Sequence, residues 1–470
     1  MKWALIHLGS DIAYGMTFFA GELIKNGHEI HWFDGDRDIL DDLTKYDPKY
    51  ICFGPLSSEF ETAINVASKI KKELPWVLTV FGGHHVKAVP EELVNRKVID
   101  YLVIGPCYNI IDKILSSTPR ILIKGSPVNP ELMIPALEDY YQQIPRIGAR
   151  PRTYIMSHFG CVYNCSFCCT DILRNMFGNE CYKNFWLRRR PVKNLIQEAE
   201  ISKRYGMKEI GLNDDDFLYD TRPGGKGTSW IREFVQEWKK IELPIYANVT
   251  PITVIRAENE AISLLSSIAK TVQMGVETFY DGSKKLFNRS FQNEEQIIQA
   301  CERLVAFNLK IKLEVIVGLP NIDNLVPDPV EDAIHTLQAC QRISKRFPGK
   351  IKAQCNNLVL FPGTKLWKRC IECNIPRREA WKNALYESKG SIIFEKKVEK
   401  QIRNIVKMTT MFVKFNTDEE WIRALIDMDL TDSASKKLSE CNYLDSLTFR
   451  LGNELVPDFQ NIIKEMSFKY

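Results

Sequence analysis

The stretch HFGCVYNCSFCCT, residues 158–170, places four cysteines within nine residues and decides how the chain is interpreted. Cys161, Cys165 and Cys168 follow the spacing C-x3-C-x2-C, and Cys169 stands directly after them. Three thiolates can hold three irons of a four-iron cluster and leave the fourth iron open to a ligand. The spacing therefore predicts an iron–sulfur cluster on Cys161, Cys165 and Cys168.

Two other interpretations of these cysteines stay open. A structural zinc site normally takes four protein ligands, and CIEC, Cys370 to Cys373, is the only other CxxC pair in the chain. In the second interpretation, Cys165, Cys168 and Cys169 are the cluster ligands, although adjacent cysteines rarely bind one cluster. CIEC would contribute to an auxiliary cluster only with further cysteines, which the rest of the chain does not supply.

The composition is that of a folded protein rather than of a disordered or membrane-spanning one. The 470 residues are 45% hydrophobic and 26% charged, which predicts two or three domains. The net charge of +4 is too small to indicate nucleic acid or an anionic membrane as a partner. There is no secretory signal and no apolar run of 18 residues, so we expect a cytoplasmic protein.

Thirteen cysteines in a reducing compartment do not predict a disulfide framework. Those that stand singly have the pattern of buried structural cysteines. They are Cys52, Cys107, Cys301, Cys340, Cys355 and Cys441.

The first 125 residues alternate short apolar runs with helical stretches, which predicts a doubly wound, Rossmann-like parallel sheet. Ligands of such sheets bind beyond the carboxyl ends of the strands. Here those ends carry small residues that let a planar ligand approach the backbone. They read GSDIAYG at 9–15, GPLSS at 54–58, GGHHV at 82–86 and IGPCY at 104–108.

A Pro-rich connector, residues 126–152, separates this domain from six further strand-then-helix units. Six units are fewer than the eight of a closed barrel, so we expect an open (βα)6 partial barrel. The chain then becomes helical. The predicted domains are 1–130, a linker at 131–150, the barrel at 151–366 and a mainly helical substrate-binding domain at 367–470.

Several motifs in order resemble the radical S-adenosylmethionine (SAM) enzymes, and in particular their cobalamin-binding branch (class B methyltransferase type). The resemblance covers about residues 1–365, and its strongest motif is GCVYNCSFC at 160–168. The weaker motifs follow in the family's order. They are LNDDDF at 212–217, GVET at 275–278, FNRSF at 287–291, VGLPN at 317–321 and FPGT at 361–364.

The resemblance implies a 4Fe-4S cluster on the three cysteines and SAM on the open iron, with Phe167 beside the third cysteine. It places Asp214, Asp215 and Asp216 near the methionyl part of the cofactor, and solvated loop acids are the alternative. It also brings Glu277 close to the cofactor rather than giving it a capping role. Arg289 would then pair with the cofactor carboxylate, although a surface salt bridge is equally compatible.

The amino-terminal domain resembles the family's cobalamin module, with Gly82, Gly83 and His84 in its paired-glycine turn. The loop after the first strand lacks the D-x-H-x-x-G histidine that ligates cobalt in methionine synthase-type carriers, and His7 falls inside a strand. We therefore expect base-off cobalamin without a protein histidine on cobalt. Its lower face would be covered around Leu56 and Ser57, and Gly105 marks a further loop at the same edge.

These cofactors imply an enzyme that forms a 5'-deoxyadenosyl radical and transfers a methyl group from methylcobalamin to carbon or phosphorus. A non-methylating cyclase or rearrangement enzyme acting on a small biosynthetic intermediate is the alternative, and a sensor without turnover is a third class. The expected partners are an external electron donor such as flavodoxin or ferredoxin, and a substrate. The substrate is a small molecule, or a peptide or protein such as the methyl-coenzyme M reductase glutamine, held with the help of a tail containing ECNYLDSLTF (440–449).

Overall fold

The computed structural model describes residues 1–127, 129–379, 382 and 390–430. It is an α/β structure with two six-stranded sheets, each surrounded by helices, as the sequence predicts. Cys441 and the stretch ECNYLDSLTF lie outside the described residues.

The first sheet is parallel and has the strand order β2-β1-β3-β4-β5-β6. Its central strands are almost entirely apolar and buried, as expected for strands covered on both faces. The strands are β1 (Lys2–His7), β2 (Glu29–Asp34), β3 (Tyr50–Phe53), β4 (Leu78–Phe81), β5 (Tyr101–Ile104) and β6 (Ile121–Lys124). The order is that of doubly wound sheets whose ligand crevice lies between β1 and β3.

Helices connect these strands, and α3 (Phe60–Glu73) shows why they form. Its buried residues recur at helical spacing, from Phe60 through Ala63 and Ala67 to Ile70, while Lys69 and Lys72 are exposed. The other helices here are α1 (Tyr14–Lys25), α2 (Leu40–Tyr46), α4 (Gly83–Ala88), α5 (Pro90–Leu93) and α6 (Ile111–Ser116).

The Pro-rich stretch after β6 is folded rather than extended. It forms α7 (Leu137–Gln143) and α8 (Pro145–Gly148). Tyr140 is buried, and its hydroxyl lies 2.9 Å from Nδ1 of His7. Arg146 makes two hydrogen bonds to the Asp34 carboxylate. These contacts fasten the stretch to the carboxyl ends of β1 and β2.

The second sheet holds its strands in chain order, β12-β11-β10-β9-β8-β7, and is the predicted partial barrel. Parallel pairing joins β9 to β10, β10 to β11 and β11 to β12. The strands are β7 (Arg152–Ile155), β8 (Glu209–Leu212), β9 (Ile245–Val249), β10 (Ala269–Glu277), β11 (Lys310–Val317) and β12 (Ile351–Asn357).

Helices alternate with these strands along the chain and continue into the carboxyl-terminal part. Up to β10 they are α9 (Thr170–Phe177), α10 (Asn179–Phe185), α11 (Val192–Arg204), α12 (Gly227–Trp238), α13 (Pro251–Arg256) and α14 (Asn259–Ser266). After β10 they are α15 (Asp281–Leu286), α16 (Glu294–Ala306), α17 (Pro329–Arg346), α18 (Lys365–Glu372), α19 (Lys396–Phe415) and α20 (Glu419–Ile426). Because α19 packs against α17 and β12, it takes the place of the sixth barrel helix.

The chain divides into two compact units. The first comprises Met1–Tyr163, Cys168–Ile210 and Phe361–Thr364, and the second comprises Asn164–Phe167, Gly211–Leu360 and Lys365–Tyr470. Among the described residues, no helix is both long and apolar enough to cross a bilayer.

Candidate functional site

The start of the cysteine loop is held by side chains of the two helices that follow it. The Cys161 backbone N–H donates to the Tyr182 hydroxyl at 2.8 Å. Arg174 donates to the carbonyl oxygens of Cys161, at 2.6 Å, and Tyr163, at 3.1 Å. The Arg174 guanidinium also stacks over the Tyr182 ring, and that ring stacks on Trp186. The backbone around Cys161 is thereby fixed without using its thiol.

Cys168 and Cys169 lie at the beginning of α9. The Cys168 Sγ is 3.2 Å from the Thr170 hydroxyl and accepts the Thr170 backbone N–H at 3.5 Å. A hydrogen bond with Cys168 holds the pKa of the Cys169 thiol well below its usual range, against the effect of burial, with help from His84 and Lys87. Backbone N–H groups at a helix start also favour a thiolate, so the position of Cys169 suits an anionic sulfur.

The centre of the cysteine loop, residues 164–167, is held by the segment that follows α15. The Ser166 N–H donates to the Phe287 carbonyl oxygen at 3.0 Å. Asn288 donates to the Asn164 side chain at 2.7 Å. The Phe167 and Phe287 rings are in contact, with centroids 4.6 Å apart. The FNRSF motif therefore acts as a clamp on the loop, a contact that sequence alone does not reveal because some 120 residues separate the two segments.

Arg289, the third residue of that motif, is 4% exposed. Its Nη1 donates to the Cys165 Sγ at 3.3 Å and lies 3.6 Å from Oε1 of Glu277. Its Nη2 donates to the Gly275 carbonyl oxygen at 2.7 Å and to Gln292 at 3.2 Å. Arg289 is therefore part of a buried network around a predicted cluster ligand and not a surface salt bridge. Its predicted pairing with the cofactor carboxylate stays a prediction.

Glu277 ends β10 in a left-handed conformation, with φ of 67°. Such a backbone is strained for a residue with a Cβ, and strain of this kind clusters at functional sites. The register shifts at this point, and a Cβ on Gly275 would lie 2.8 Å from Oε1 of Glu277. Burial raises the pKa of Glu277, while Arg289 acts in the opposite direction. The glycine and the bulge together place a buried carboxyl beside Arg289.

The three aspartates after β8 differ in their surroundings. Asp216 is buried and accepts hydrogen bonds from the hydroxyls of Thr250, at 2.8 Å, and Thr253, at 2.9 Å. Asp214 is also buried, and its carbonyl oxygen accepts from Asn248 at 3.0 Å. Asp215 is exposed. Asp216 thus fastens the loop after β8 to the start of α13. The cofactor role predicted for the three aspartates stays a prediction.

The inner face of β9 to β12 is polar, whereas closed barrels of this type are filled with branched apolar side chains. Asn248, Gln273, Lys312 and Lys352 occupy one register level across the four strands. The Gln273 amide donates to Asn248 at 3.3 Å. One level further along, Glu314 pairs with Lys312 at 2.6 Å. Residues of the opposite face, such as Leu313, are buried against the helices. We call this polar inner face the lumen.

The residues predicted to contact cobalamin lie at the carboxyl ends of β3, β4 and β5, next to one another in the first sheet. Gly83 has a φ of 86°, and a Cβ there would lie 2.9 Å from the carbonyl carbon of Gly54. His85 is buried, stacks on Phe60 and lies 3.1 Å from the Ser57 hydroxyl. The turn after β4 and the loop after β3 therefore form one packed surface.

The histidines at this edge are placed differently. His7 is buried inside β1, where burial and then Arg146 lower its pKa to about 4, and its Nε2 lies 3.0 Å from the Gly9 carbonyl oxygen. His84 is exposed at the start of α4. A Cβ on Gly105 would lie 2.5 Å from the Phe177 ring, so this loop packs against α9. The absence of a histidine ligand to cobalt stays a prediction.

Glu59 is a candidate that the sequence analysis missed. It lies beside the loop after β3, accepts the Leu56 N–H at 2.9 Å and borders Gly9 of the loop after β1. Burial raises its pKa to about 7. A glutamate that begins a helix gives no sequence signal of this kind. In the structure it stands at the β1–β3 crevice where doubly wound sheets bind ligands.

The described cysteines outside the loop behave as structural residues. Burial raises the pKa of Cys301 and Cys355 to about 12 and of Cys370 to about 11. Cys370 belongs to an apolar cluster with Leu286 and Leu366, against which Cys373 packs. Cys370 is thus part of the core, and Cys373 lies half-buried at its edge.

The donor set of the loop fits an iron–sulfur cluster. Cys161, Cys165 and Cys168 are free of disulfides. Within the described ranges, no three His, Cys, Asp or Glu side chains converge on a point suited to a single metal ion. A four-iron cluster does not need such convergence, because each thiolate binds a different iron.

Residues 155–337, which contain the cysteine loop and β8 to β11, match the family model of the radical SAM superfamily. Residues 155–337 therefore form a radical SAM domain. The match confirms the predicted family at this level, and with it the 4Fe-4S cluster and SAM as cofactors of the radical SAM domain.

Two curated relatives are methylthiotransferases. Ribosomal protein uS12 methylthiotransferase RimO of Dictyoglomus thermophilum is 25% identical over 329 residues, which are 68% of this chain and 69% of RimO. The tRNA-2-methylthio-N(6)-dimethylallyladenosine synthase of Thermotoga petrophila is 24% identical over 241 residues, 49% of this chain and 48% of that protein. The chain therefore spans about two thirds of one relative and half of the other.

Two solved structures share the fold. TsrM from Kitasatospora setae, a radical SAM methyltransferase solved with tryptophan and a SAM analogue, aligns with a TM-score of 0.59 at 14% identity, over 79% of this chain and 76% of TsrM. The cobalamin-dependent radical SAM enzyme OxsB aligns with a TM-score of 0.62 at 13% identity, over 94% of this chain and 71% of OxsB. At these identities the likeness establishes the fold alone.

Proposed function

We propose that this protein is a cobalamin-dependent radical SAM methyltransferase that methylates an unactivated carbon, or phosphorus, of its substrate. The observation that carries the proposal is the cysteine loop of a radical SAM domain, clamped by the segment 287–289 and preceded by a doubly wound domain. When bound, the reduced cluster cleaves SAM and supplies a 5'-deoxyadenosyl radical that removes a hydrogen atom. The protein holds the cofactors in place and excludes water.

The proposed cluster ligands are Cys161, Cys165 and Cys168. Burial raises the pKa of the Cys165 thiol, and Arg289 opposes that effect. A buried guanidinium next to a thiolate offsets part of the loss of solvation. Phe167 packs on Phe287 behind the third cysteine and keeps this part of the loop apolar.

The proposed SAM contacts are Glu277 and the aspartates after β8. Glu277 is half-buried and directed by its left-handed backbone, so its carboxylate has the fixed orientation that binding an ammonium group requires. Asp214 is buried at the end of β8, whereas Asp215 is exposed and Asp216 is occupied by Thr250 and Thr253. We therefore rank Glu277 and Asp214 above the other two.

The proposed cobalamin surface is the edge of the first sheet formed by the loops after β3, β4 and β5. Leu56 and Ser57 are half-buried there, beside the packed turn Gly82 to His84. Support comes from the strand order, which puts a ligand crevice at this edge, and from the shared fold with TsrM, which was also solved with cobalamin and a [4Fe-4S] cluster.

The lumen supports a peptide or protein substrate rather than a lipid or an apolar pigment. Asn248, Gln273 and Gln354 present amide groups, and Lys312 pairs with Glu314. Amides and a neutral ion pair can also hydrogen-bond with the N–H and C=O groups of a peptide, whereas an alkyl chain would only remove these polar groups from water. A glutamine-containing peptide, such as one from methyl-coenzyme M reductase, fits this chemistry.

The test is anaerobic reconstitution with iron, sulfide and cobalamin, followed by reduction through a flavodoxin or ferredoxin system. With SAM labelled in its methyl group and a glutamine-containing peptide, we expect 5'-deoxyadenosine and labelled peptide. The variant Cys165→Ala should form neither product, while Cys370→Ala should form both. A wild-type protein that binds zinc, or that releases no 5'-deoxyadenosine, would contradict the proposal.

The same assay separates two alternatives. An unlabelled, rearranged product would indicate the cyclase function. The similarity to RimO favours methylthio transfer as a second candidate, and the product mass distinguishes an added methylthio group from an added methyl group.

A further inference from the structure

We propose that Arg289 is a positioning residue that raises the reduction potential of the iron–sulfur cluster through its contact with Cys165, and that Glu277 limits this effect. The inference rests on the proposed function only in requiring a cluster ligated by Cys165. It assigns Arg289 a partner other than the cofactor carboxylate.

The geometry gives Arg289 a fixed position. Its Nη2 is anchored to the Gly275 carbonyl oxygen at 2.7 Å and to Gln292 at 3.2 Å. Gln292 is itself fastened to the Val276 carbonyl oxygen at 2.7 Å. The other terminal nitrogen, Nη1, is thereby aimed at the Cys165 Sγ, 3.3 Å away. The orientation of Arg289 therefore comes from β10 and the clamp segment.

The sign of the effect follows from charge. Reduction adds one electron to the cluster, taken from an external low-potential donor, and no bond to Arg289 forms or breaks. A cationic hydrogen-bond donor on a ligating sulfur stabilises the more negative, reduced state, and such hydrogen bonds are among the factors that set cluster potentials. Arg289 is only 4% exposed, so water screens its charge weakly.

Glu277 acts in the opposite sense. Its Oε1 lies 3.6 Å from Arg289 Nη1, on the same nitrogen that contacts Cys165. Because Gly275 has no Cβ, the carboxylate can lie back over the strand and reach this position. A negative charge there offsets part of the field that the cluster experiences from Arg289. Loss of Arg289 and loss of the Glu277 charge should therefore shift the potential in opposite directions.

The experiment measures the cluster midpoint potential by an EPR-monitored redox titration of the reconstituted full chain without SAM. The variants are Arg289→Met, Arg289→Lys and Glu277→Gln. Arg232→Met serves as the control, since Arg232 is an exposed arginine that pairs with Glu260 on the surface. Iron content and circular dichroism verify that each variant is folded and loaded.

We expect a more negative midpoint in Arg289→Met. At a fixed potential the reduced-to-oxidised ratio should fall at least tenfold, which equals about 59 mV for a one-electron couple. Arg289→Lys should recover part of the shift, Glu277→Gln should move the midpoint to less negative values, and Arg232→Met should leave it unchanged. A purely structural role for Arg289 would not predict opposite shifts.

Two outcomes would overturn the inference. One is a loaded Arg289→Met protein with the wild-type midpoint, and the other is a Glu277→Gln shift in the same direction as that of Arg289→Met. If Arg289→Met does not fold, Arg289→Lys and Glu277→Gln decide the question. A wild-type chain that takes up no iron would instead contradict the proposed function, so the two failures are distinguishable.

Discussion

Asp332 on α17 gives a pH-dependent stability that can be worked out from its surroundings. The side chain is 1% exposed and accepts a hydrogen bond from the Ser283 hydroxyl at 2.6 Å. Burial raises its pKa from the ordinary 3.8 to about 7, and hydrogen bonds from Ser283 and Thr278 counter only part of that rise. Between about pH 4 and pH 7, Asp332 is therefore protonated in the folded protein but ionised in the unfolded chain.

A raised carboxyl pKa makes the folded state most stable at low pH, and this stability is lost as the pH rises from about 4 to about 7. A shift of three pKa units at 1.36 kcal/mol per unit corresponds to roughly 4 kcal/mol in total, of which about 2.5 kcal/mol falls between pH 5 and pH 8. Asp332→Asn has no such proton to lose. The free energy of unfolding of Asp332→Asn minus that of the wild type should therefore increase by about 2.5 kcal/mol from pH 5 to pH 8.

The assay is urea unfolding at pH 5, 6, 7 and 8, followed by tryptophan fluorescence. Asp281→Asn is the matched control, because Lys284 lowers the pKa of the exposed Asp281 carboxyl and its contribution is lost only as the pH falls below about 4. Parallel pH profiles for the wild type and Asp332→Asn would refute the reasoning, since they would mean that Asp332 is ionised in the folded protein throughout.

Three further predictions concern stability and metal content. Arg190→Met should lower the free energy of unfolding by about 3–5 kcal/mol, because it leaves the buried Glu198 carboxylate without a cation and with only the Tyr14 hydroxyl as a donor. Adding Glu198→Leu should restore much of the thermal midpoint, and no recovery would contradict this prediction. Gly83→Ala should lower the free energy of unfolding by at least about 1 kcal/mol, because Gly83 has a left-handed backbone. Gly15→Ala is the control, since Gly15 has open space around it and should tolerate a Cβ. Equal urea midpoints for the two variants would contradict this prediction. Cys370→Ala should lower the free energy of unfolding by about 1 kcal/mol through lost core packing, yet keep the wild-type iron content. A loss of iron would instead indicate that CIEC ligates a cluster.

Much of the fold could be predicted because its signals are local. Buried parallel strands are short apolar runs, and helices with one buried face repeat that face every three to four residues, as in α3. The strand β6 gives little signal in the sequence, because only one of its four residues is buried at the sheet edge. The Pro-rich stretch was interpreted as a connector, although Tyr140 and Arg146 fasten it to the first sheet through contacts more than 100 residues apart in sequence.

In the candidate site too, local patterns could be predicted from the sequence, whereas contacts between distant residues could not. The cluster cysteines could be predicted because their spacing within one loop is itself the signal. The contact between Arg289 and Cys165 spans 124 residues, and the left-handed backbone of Glu277 has no sequence marker. Both residues were singled out only through motif resemblance, and their partners emerged only from the three-dimensional arrangement.

The polar lumen has a consequence for the engineering of this protein. Gln273 and Lys352 face inward where a stability-optimised barrel would carry valine or leucine, so the inner surface adds little to the free energy of folding. Selection for heat tolerance alone would thus be expected to enrich apolar replacements at these positions first. A library screened only by melting temperature would then select more stable variants that lack the polar groups we propose for substrate binding.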